Sequence, residues 1–195
     1  MRRRTLIGAL LAAPFSRAGL VCAQASPSAE LIDGGPYVPT PDAVVSRMLE
    51  LAGVRGDDLV VDLGSGDGRL VIEAARRYGA RGLGVEREAH LVDLARARAE
   101  KAGVAQRVSF RQGDIFETDL RGATVVTLYL LPRLLVQLVP KLRAELAPGA
   151  RIVSHDYPLE PWRADETLEF DVPEKEVLLM NPRTQLFLYV VRAPG

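Results

Sequence analysis

Cysteine is nearly missing from this chain. Cys22 is the single one among 195 residues, so no disulfide can close within the chain and a cysteine nucleophile is not expected. Charge of one sign is not in excess either, with 25 basic residues against 25 acidic ones. Without Arg2, Arg3, Arg4 and Arg17, which all precede Ser26, 21 basic residues remain against 25 acidic, a net charge of −4. No basic run is left in that remainder, which argues against a nucleic-acid partner. Long hydrophobic runs are absent as well: the apolar stretch from Leu6 to Phe15 is broken by Pro14 and too short for a membrane span. No internal repeat is visible, and no metal site is expected. What the chain does have is 48% hydrophobic residues and a length that suits one α/β domain with a proper core.

The first 25 residues read as a signal peptide or N-terminal anchor. Met1-Arg2-Arg3-Arg4 is a basic start, and Ala23-Gln24-Ala25 matches the small-x-small pattern of a cleavage site before Ser26. Arg2-Arg3-Arg4-Thr5-Leu6-Ile7 resembles a twin-arginine signal, which exports folded proteins. Cys22 follows Val21, a poor fit to a lipoprotein acylation site. The expected location is periplasmic or inner-membrane-associated, or cytoplasmic if the true start lies downstream. Residues 26–36 form a flexible Pro- and Gly-containing lead-in, and 37–195 a single domain.

The densest signal is Val60-Val61-Asp62-Leu63-Gly64-Ser65-Gly66-Asp67-Gly68-Arg69. Leu59 to Leu63 suits a buried strand, the three glycines suit a turn, and Leu70, Val71, Ala74, Ala75 and Tyr78 recur at helical spacing after it. A dinucleotide fingerprint would need glycine at position 69, where Arg69 stands, which argues against a dehydrogenase. A second strand, Arg81 to Glu86, ends in a carboxylate on the order of 20 residues beyond the turn, where an acid has acceptors for two vicinal ribose hydroxyls.

The other elements follow from periodicity and punctuation. A helix is expected after Thr40 as its cap and Pro41 as its first residue, carrying Val44, Val45, Met48, Leu49 and Ala52 and ending at Gly53. A second runs from Ala89 to Ala102, and Val108 to Arg111 is a strand. Thr124 to Leu130 is an apolar run suited to burial on both faces. Pro132 opens a helical region that Pro140 kinks or restarts, and Pro148-Gly149 ends it. Further strands are expected at Arg151 to Asp156, Glu176 to Met180 and Gln185 to Val191, and residues 157–175 could form a lid. The fold class is α/β: a doubly wound, mostly parallel seven-stranded sheet with an antiparallel last strand.

The acid followed by G-x-G-x-G resembles motif I of the class I S-adenosylmethionine (SAM) methyltransferases. That resemblance implies SAM as cofactor, with Gly64, Ser65, Gly66 and Gly68 beside its amino-acid tail and Asp62 holding its ammonium. It also implies that Asp114, in Gln112-Gly113-Asp114-Ile115-Phe116, accepts from the adenine amino group, with Ile115 and Phe116 packing on the ring; a plain Asp-initiated turn is the alternative. Over residues 36–162 the chain resembles bacterial relatives of the ATP synthase c-subunit lysine methyltransferase family. The likeness rests on Pro36-Tyr37-Val38-Pro39-Thr40, the Asp62 to Arg69 motif, Tyr129-Leu130-Leu131-Pro132 and Pro148-Gly149-Ala150-Arg151-Ile152-Val153-Ser154. Its Asp-Leu-Gly-Ser-Gly core is shared with nucleosomal lysine methyltransferases of the same fold.

The resemblance implies methyl transfer to a lysine of an acceptor protein, a membrane protein among the candidates. The alternatives are a methyltransferase acting on a small molecule or another protein group, and a SAM-binding module without turnover. Tyr129, after the fourth strand, is where class I enzymes place substrate-facing groups. Tyr37 is placed to close over the cofactor, His155 and Asp156 end the fifth strand where a histidine could accept a proton, and Trp162 could wall in a cation. Each could equally be a core or surface residue.

Overall fold

The structure, a computed structural model, describes Gly35, residues 37–175 and residues 181–193. The expected signal or anchor segment, the lead-in apart from Gly35, and the expected strand Glu176 to Met180 lie outside the described residues.

Among the described residues the elements follow in the order α1 (Asp42–Leu51), β1 (Leu59–Leu63), α2 (Arg69–Tyr78), β2 (Arg81–Glu86), α3 (Ala89–Lys101), β3 (Val108–Gln112), β4 (Val125–Leu128), α4 (Pro132–Glu145), β5 (Arg151–His155), β6 (Glu166–Asp171) and β7 (Arg183–Val190). The strands form one sheet in the order β3-β2-β1-β4-β5-β7-β6. β3, β2, β1, β4 and β5 run parallel, and β7 is antiparallel to both β5 and β6.

The central strands β1, β4 and β5 are buried on both faces, which is why β1 and β4 read as apolar runs. Val60, Val125, Val153 and Leu186 turn to the face covered by α1, α2 and α3. Val61, Val126, Ile152 and Tyr189 turn to the face covered by α4 through Leu135, Leu138 and Leu142. At the base of the sheet Asp58 ties three strand starts together. Its carboxylate accepts from the Arg55 amide at 2.7 Å and from Thr124 Oγ1 at 2.7 Å, and pairs with Arg151.

Several elements depart from the sequence-based expectation. Pro41, not Thr40, is the N-cap of α1, and no side chain caps the helix; Thr40 is buried, and its carbonyl accepts from Arg69. α4 passes Pro140 as one helix rather than restarting there. β4 stops at Leu128, leaving Tyr129 and Leu130 in the connection to α4. Within 157–175, a segment that could supply a lid, Glu166–Asp171 forms the edge strand β6, paired along its length with β7.

Candidate active site

The chain leaves β1 towards β2 and β3 on one side, then crosses back to β4 on the other. Ligands of open α/β sheets bind at this switch point, beyond the carboxyl ends of the strands. A cleft of about 340 Å³ lies there, walled by the turns after β1, β2, β3 and β4 and by Gly35 and residues 37–40.

The turn after β1 forms its floor. Gly68, the N-cap of α2, has φ +79°, and a Cβ on it would lie 2.5 Å from the Phe110 ring and 2.9 Å from Ala95. Gly66 has φ +50°, and its Cβ position is filled by the Tyr37 ring at 2.5 Å. Glycine is therefore dictated at both positions by backbone conformation and by close packing. Glu86 organises the turn from the end of β2. Its Oε2 accepts from the Gly66 amide at 2.9 Å, and its Oε1 from the amides of Arg87 at 2.7 Å and Glu88 at 3.0 Å. One carboxylate thus fixes the turns after β1 and β2 relative to each other.

Asp62 sits at the cleft wall with 3% exposure, its Oδ1 accepting from Thr127 Oγ1 at 2.7 Å. Asp62 and Thr127 face each other in the β1–β4 register. Burial pushes the Asp62 carboxyl up from 3.8 to about 7; the Thr127 bond opposes that shift, while the charges of Glu86 and Asp67 add to it. Asp67 is also buried but has the opposite balance. Burial alone would raise its pKa, but the hydrogen bonds and charge of Arg69, with Arg98, bring it below the usual value. Arg69 Nε lies 2.9 Å from Asp67 Oδ1 and its NH2 2.7 Å from Oδ2.

The expected cofactor residues Asp62, Gly64, Ser65, Gly66, Glu86, Asp114 and Ile115 all line the cleft, as do Phe116, Tyr37 and Tyr129. Asp114 Oδ1 accepts from the Phe116 amide at 2.7 Å, so the residue shapes its own turn as well as facing the cleft. The Ser65 hydroxyl is buried without a partner. Gly68 is not part of the lining; it serves the packing of α2 onto Phe110.

His155 and Asp156 do not line the cleft. His155 is fully buried behind Tyr129, its ring stacked on the phenol at a centroid distance of 4.0 Å. Burial lowers its pKa from 6.5 to about 4, with Asp156 opposing and Lys175 assisting, and neither ring nitrogen has a hydrogen-bond partner. Asp156 is held by the Lys175 ammonium at 2.7 and 2.5 Å. Trp162 is also elsewhere, and the cation over its ring is Arg143, at 4.7 Å. Burial, with the charges of Asp156 and Tyr157, raises the Tyr129 pKa, so its hydroxyl stays protonated at neutral pH.

Sequence reasoning missed Thr127, Asp67 and Arg69. Thr127 was signalled as the one hydroxyl inside the β4 run, opposite Asp62. The Asp67-Gly68-Arg69 charge pair on the glycine turn signalled a local ion pair, though not what that pair holds.

These residues fit SAM. Asp62 is a buried carboxyl beside Glu86 and Asp67, and only the Thr127 hydroxyl is named against its upward shift, so a ligand ammonium there would satisfy it. Glu86 presents two carboxylate oxygens at the cleft, Gly66 leaves no side chain in the way, and Ile115 and Phe116 offer apolar surface for a ring.

A family model described as the ANTKMT methyltransferase domain matches residues 62–166. A protein-lysine N-methyltransferase of Saccharolobus islandicus (strain REY15A) is 46% identical over 157 residues, covering 80% of this chain and 93% of that protein. The adenine nucleotide translocase lysine N-methyltransferase of Mus musculus is 41% identical over 129 residues, 66% of this chain; the match spans 56% of the mouse protein. Among solved structures, an RNA methyltransferase from Salinibacter ruber in complex with S-adenosyl-L-homocysteine (SAH) is 47% identical, covers 81% of this chain and 96% of its own, and superposes with a TM-score of 0.74.

Proposed function

The chain belongs to the ANTKMT methyltransferase domain family of SAM-dependent methyltransferases, and on that premise we propose that its acceptor is the side-chain amine of a protein lysine. The observation that carries this reading is the match to a protein-lysine N-methyltransferase, 46% identical and covering 93% of that protein. The adenine nucleotide translocase lysine N-methyltransferase, 41% identical over 129 residues, points the same way. The acidic groups of the cleft, Asp62, Glu86 and Asp114, are taken up by the cofactor in this reading, and Tyr129, Leu130 and Leu134 line the cleft beside them.

Bound in the cleft, SAM supplies a methyl group on a positively charged sulfur, open to in-line displacement by an amine. In this reading Asp62 takes the cofactor's ammonium, Glu86 its ribose hydroxyls, and Asp114 with Ile115 its adenine. Tyr129 lines the acceptor side, its neutral hydroxyl available to orient the amine, with His155 stacked behind as support. Tyr37 closes the cofactor side. A lysine ammonium, with an ordinary pKa near ~10.4, must lose its proton before transfer, and the partly buried environment of Tyr129 favours the neutral amine. Holding donor and acceptor in line is then the enzyme's main task. An export or anchoring role for residues 1–25, read from the sequence, would place the acceptor at or beyond the inner membrane.

The test is methyl transfer from radiolabelled SAM by the full chain to separated protein, RNA and small-molecule fractions of the host, with Asp62→Ala/Glu86→Ala as control. Methyl-lysine in a protein hydrolysate, absent with the control, supports the proposal. Label confined to RNA or to small molecules refutes the lysine acceptor and leaves the cofactor assignment standing.

A further inference from the structure

Asp67 stands on the glycine turn with 2% exposure, yet its carboxylate holds two guanidinium groups. Arg69 grips it with both prongs of its fork, and Arg98 reaches it from α3. Such an arrangement is costly to bury and needs a reason. The reason lies on the other side of Arg69. Its NH1 donates to the carbonyl of Thr40 at 2.6 Å and lies 3.6 Å from Asp42, so the same guanidinium clamps the end of the segment leading into α1. The Tyr37 phenol engages Asp67 and Arg69, and its ring covers Gly66. At the far end of the segment Gly35 packs on Leu131, in the connection after β4. Residues 37–40 are thus stretched from the glycine turn towards the β4 connection and form one wall of the cleft.

We propose that Asp67 is a positioning residue for the cofactor: held by Arg69 and Arg98, it fixes Tyr37 and Thr40 as a wall against which SAM and SAH bind, without touching the transferred methyl or the acceptor. The proposal rests on the cofactor assignment and is independent of the lysine reading, because cofactor binding is measured with no acceptor present. It also gives Arg69 a task at the position where a dinucleotide fingerprint would require glycine.

The test is SAH titration by calorimetry on the full chain, comparing wild type with Asp67→Asn, which keeps the size and removes the charge. Loss of a charge-assisted fork on the wall predicts an SAH affinity about tenfold weaker, with kcat at saturating SAM within about twofold of wild type and the acceptor KM unchanged. Arg98→Gln, altering a side chain 43% exposed and leaving Arg69 in place, predicts a smaller loss in the same direction. A spectroscopic readout separates this role from a general loss of fold. The Tyr37 phenol, isolated by difference ultraviolet titration against Tyr37→Phe, titrates at lower pH in Asp67→Asn than in wild type, because the neighbouring negative charge is gone. Unchanged SAH affinity in Asp67→Asn, a kcat loss that saturating SAM does not restore, or an unmoved Tyr37 titration would each overturn the proposal.

Discussion

Asp62→Asn separates what the fold needs from what the ligand needs. The substitution keeps the side-chain shape and an oxygen to accept from Thr127 Oγ1, while removing a carboxylate that burial has pushed from 3.8 to about 7. Between those two pH values the folded protein keeps a proton on Asp62 that the unfolded chain has released. The stability contributed by this group therefore falls as pH rises through that window and is lowest above 7. The displacement sets a ceiling of roughly 4 kcal/mol on the penalty at pH 8, at about 1.36 kcal/mol per pH unit. Asparagine has no such penalty. The ligand-free variant should melt higher than wild type at pH 8, by roughly 2–4 °C for each kcal/mol recovered in a domain of this size, and the gap should close towards pH 4.

Binding moves the other way. An ammonium beside Asp62 favours the ionised carboxylate, so wild-type affinity for SAH should weaken up to about tenfold per pH unit below about 7, while Asp62→Asn binds weakly with little pH dependence over that range. The assays are thermal melts of the ligand-free protein and calorimetric SAH titrations, both from pH 4 to pH 8. The reasoning is refuted if the variant is no more stable than wild type at pH 8, or if wild-type affinity is flat across pH 5 to 8.

Glu86→Ala removes the acceptor of three backbone amides and should weaken SAH binding by about 100-fold or more in calorimetry. His155→Phe keeps a ring behind Tyr129 and removes two buried nitrogens that make no hydrogen bond. Because the folded pKa of His155, about 4, lies below the usual 6.5, wild type loses stability as pH falls through that interval, and the variant's melting temperature should gain more at pH 5 than at pH 8. Asp58→Ala leaves Arg151 and Thr124 without their shared partner at the base of the sheet and should lower unfolding free energy by roughly 2–4 kcal/mol in denaturant melts. SAH affinity should be retained in that variant, since Asp58 lies at the start of β1, the end away from the cleft.

The half of the site made by β1, α2 and β2 was legible in the sequence because its signals are local: an apolar run, glycines at fixed spacing and a carboxylate at the next strand end. The sheet's other edge was harder to read. Glu166 to Asp171 alternates charged or polar residues with Leu168 and Phe170, but as an edge strand it is only partly covered and carries no run of buried residues. The sequence offers residues 157–175 only as a segment that could supply a lid, with no strand marked in it. His155 was read as a proton acceptor from its place at a strand end, but the stacking that buries it comes from Tyr129, 26 residues earlier in the chain. Thr40 looked like a helix cap because its residue type and spacing suit one, whereas tertiary packing draws its carbonyl to Arg69.

The two aspartates of the motif show why composition and spacing alone do not assign roles. Asp62 and Asp67 are five residues apart, similarly buried, and both face the same cleft. Arg69 and Arg98 converge on Asp67, so it is ionised within the protein itself and has little left to offer a ligand. Burial, with the charges of Glu86 and Asp67, holds back the charge of Asp62 against the pull of its one hydroxyl partner, Thr127, until a cation arrives. One acid is satisfied by the fold and the other is not. A site that binds a cationic amino-acid tail needs both: an acid with an unmet demand for positive charge, and a wall fixed firmly enough that meeting the demand orients the ligand. Moving either arginine from Asp67 to Asp62 would stabilise the empty protein and remove its reason to bind the cofactor.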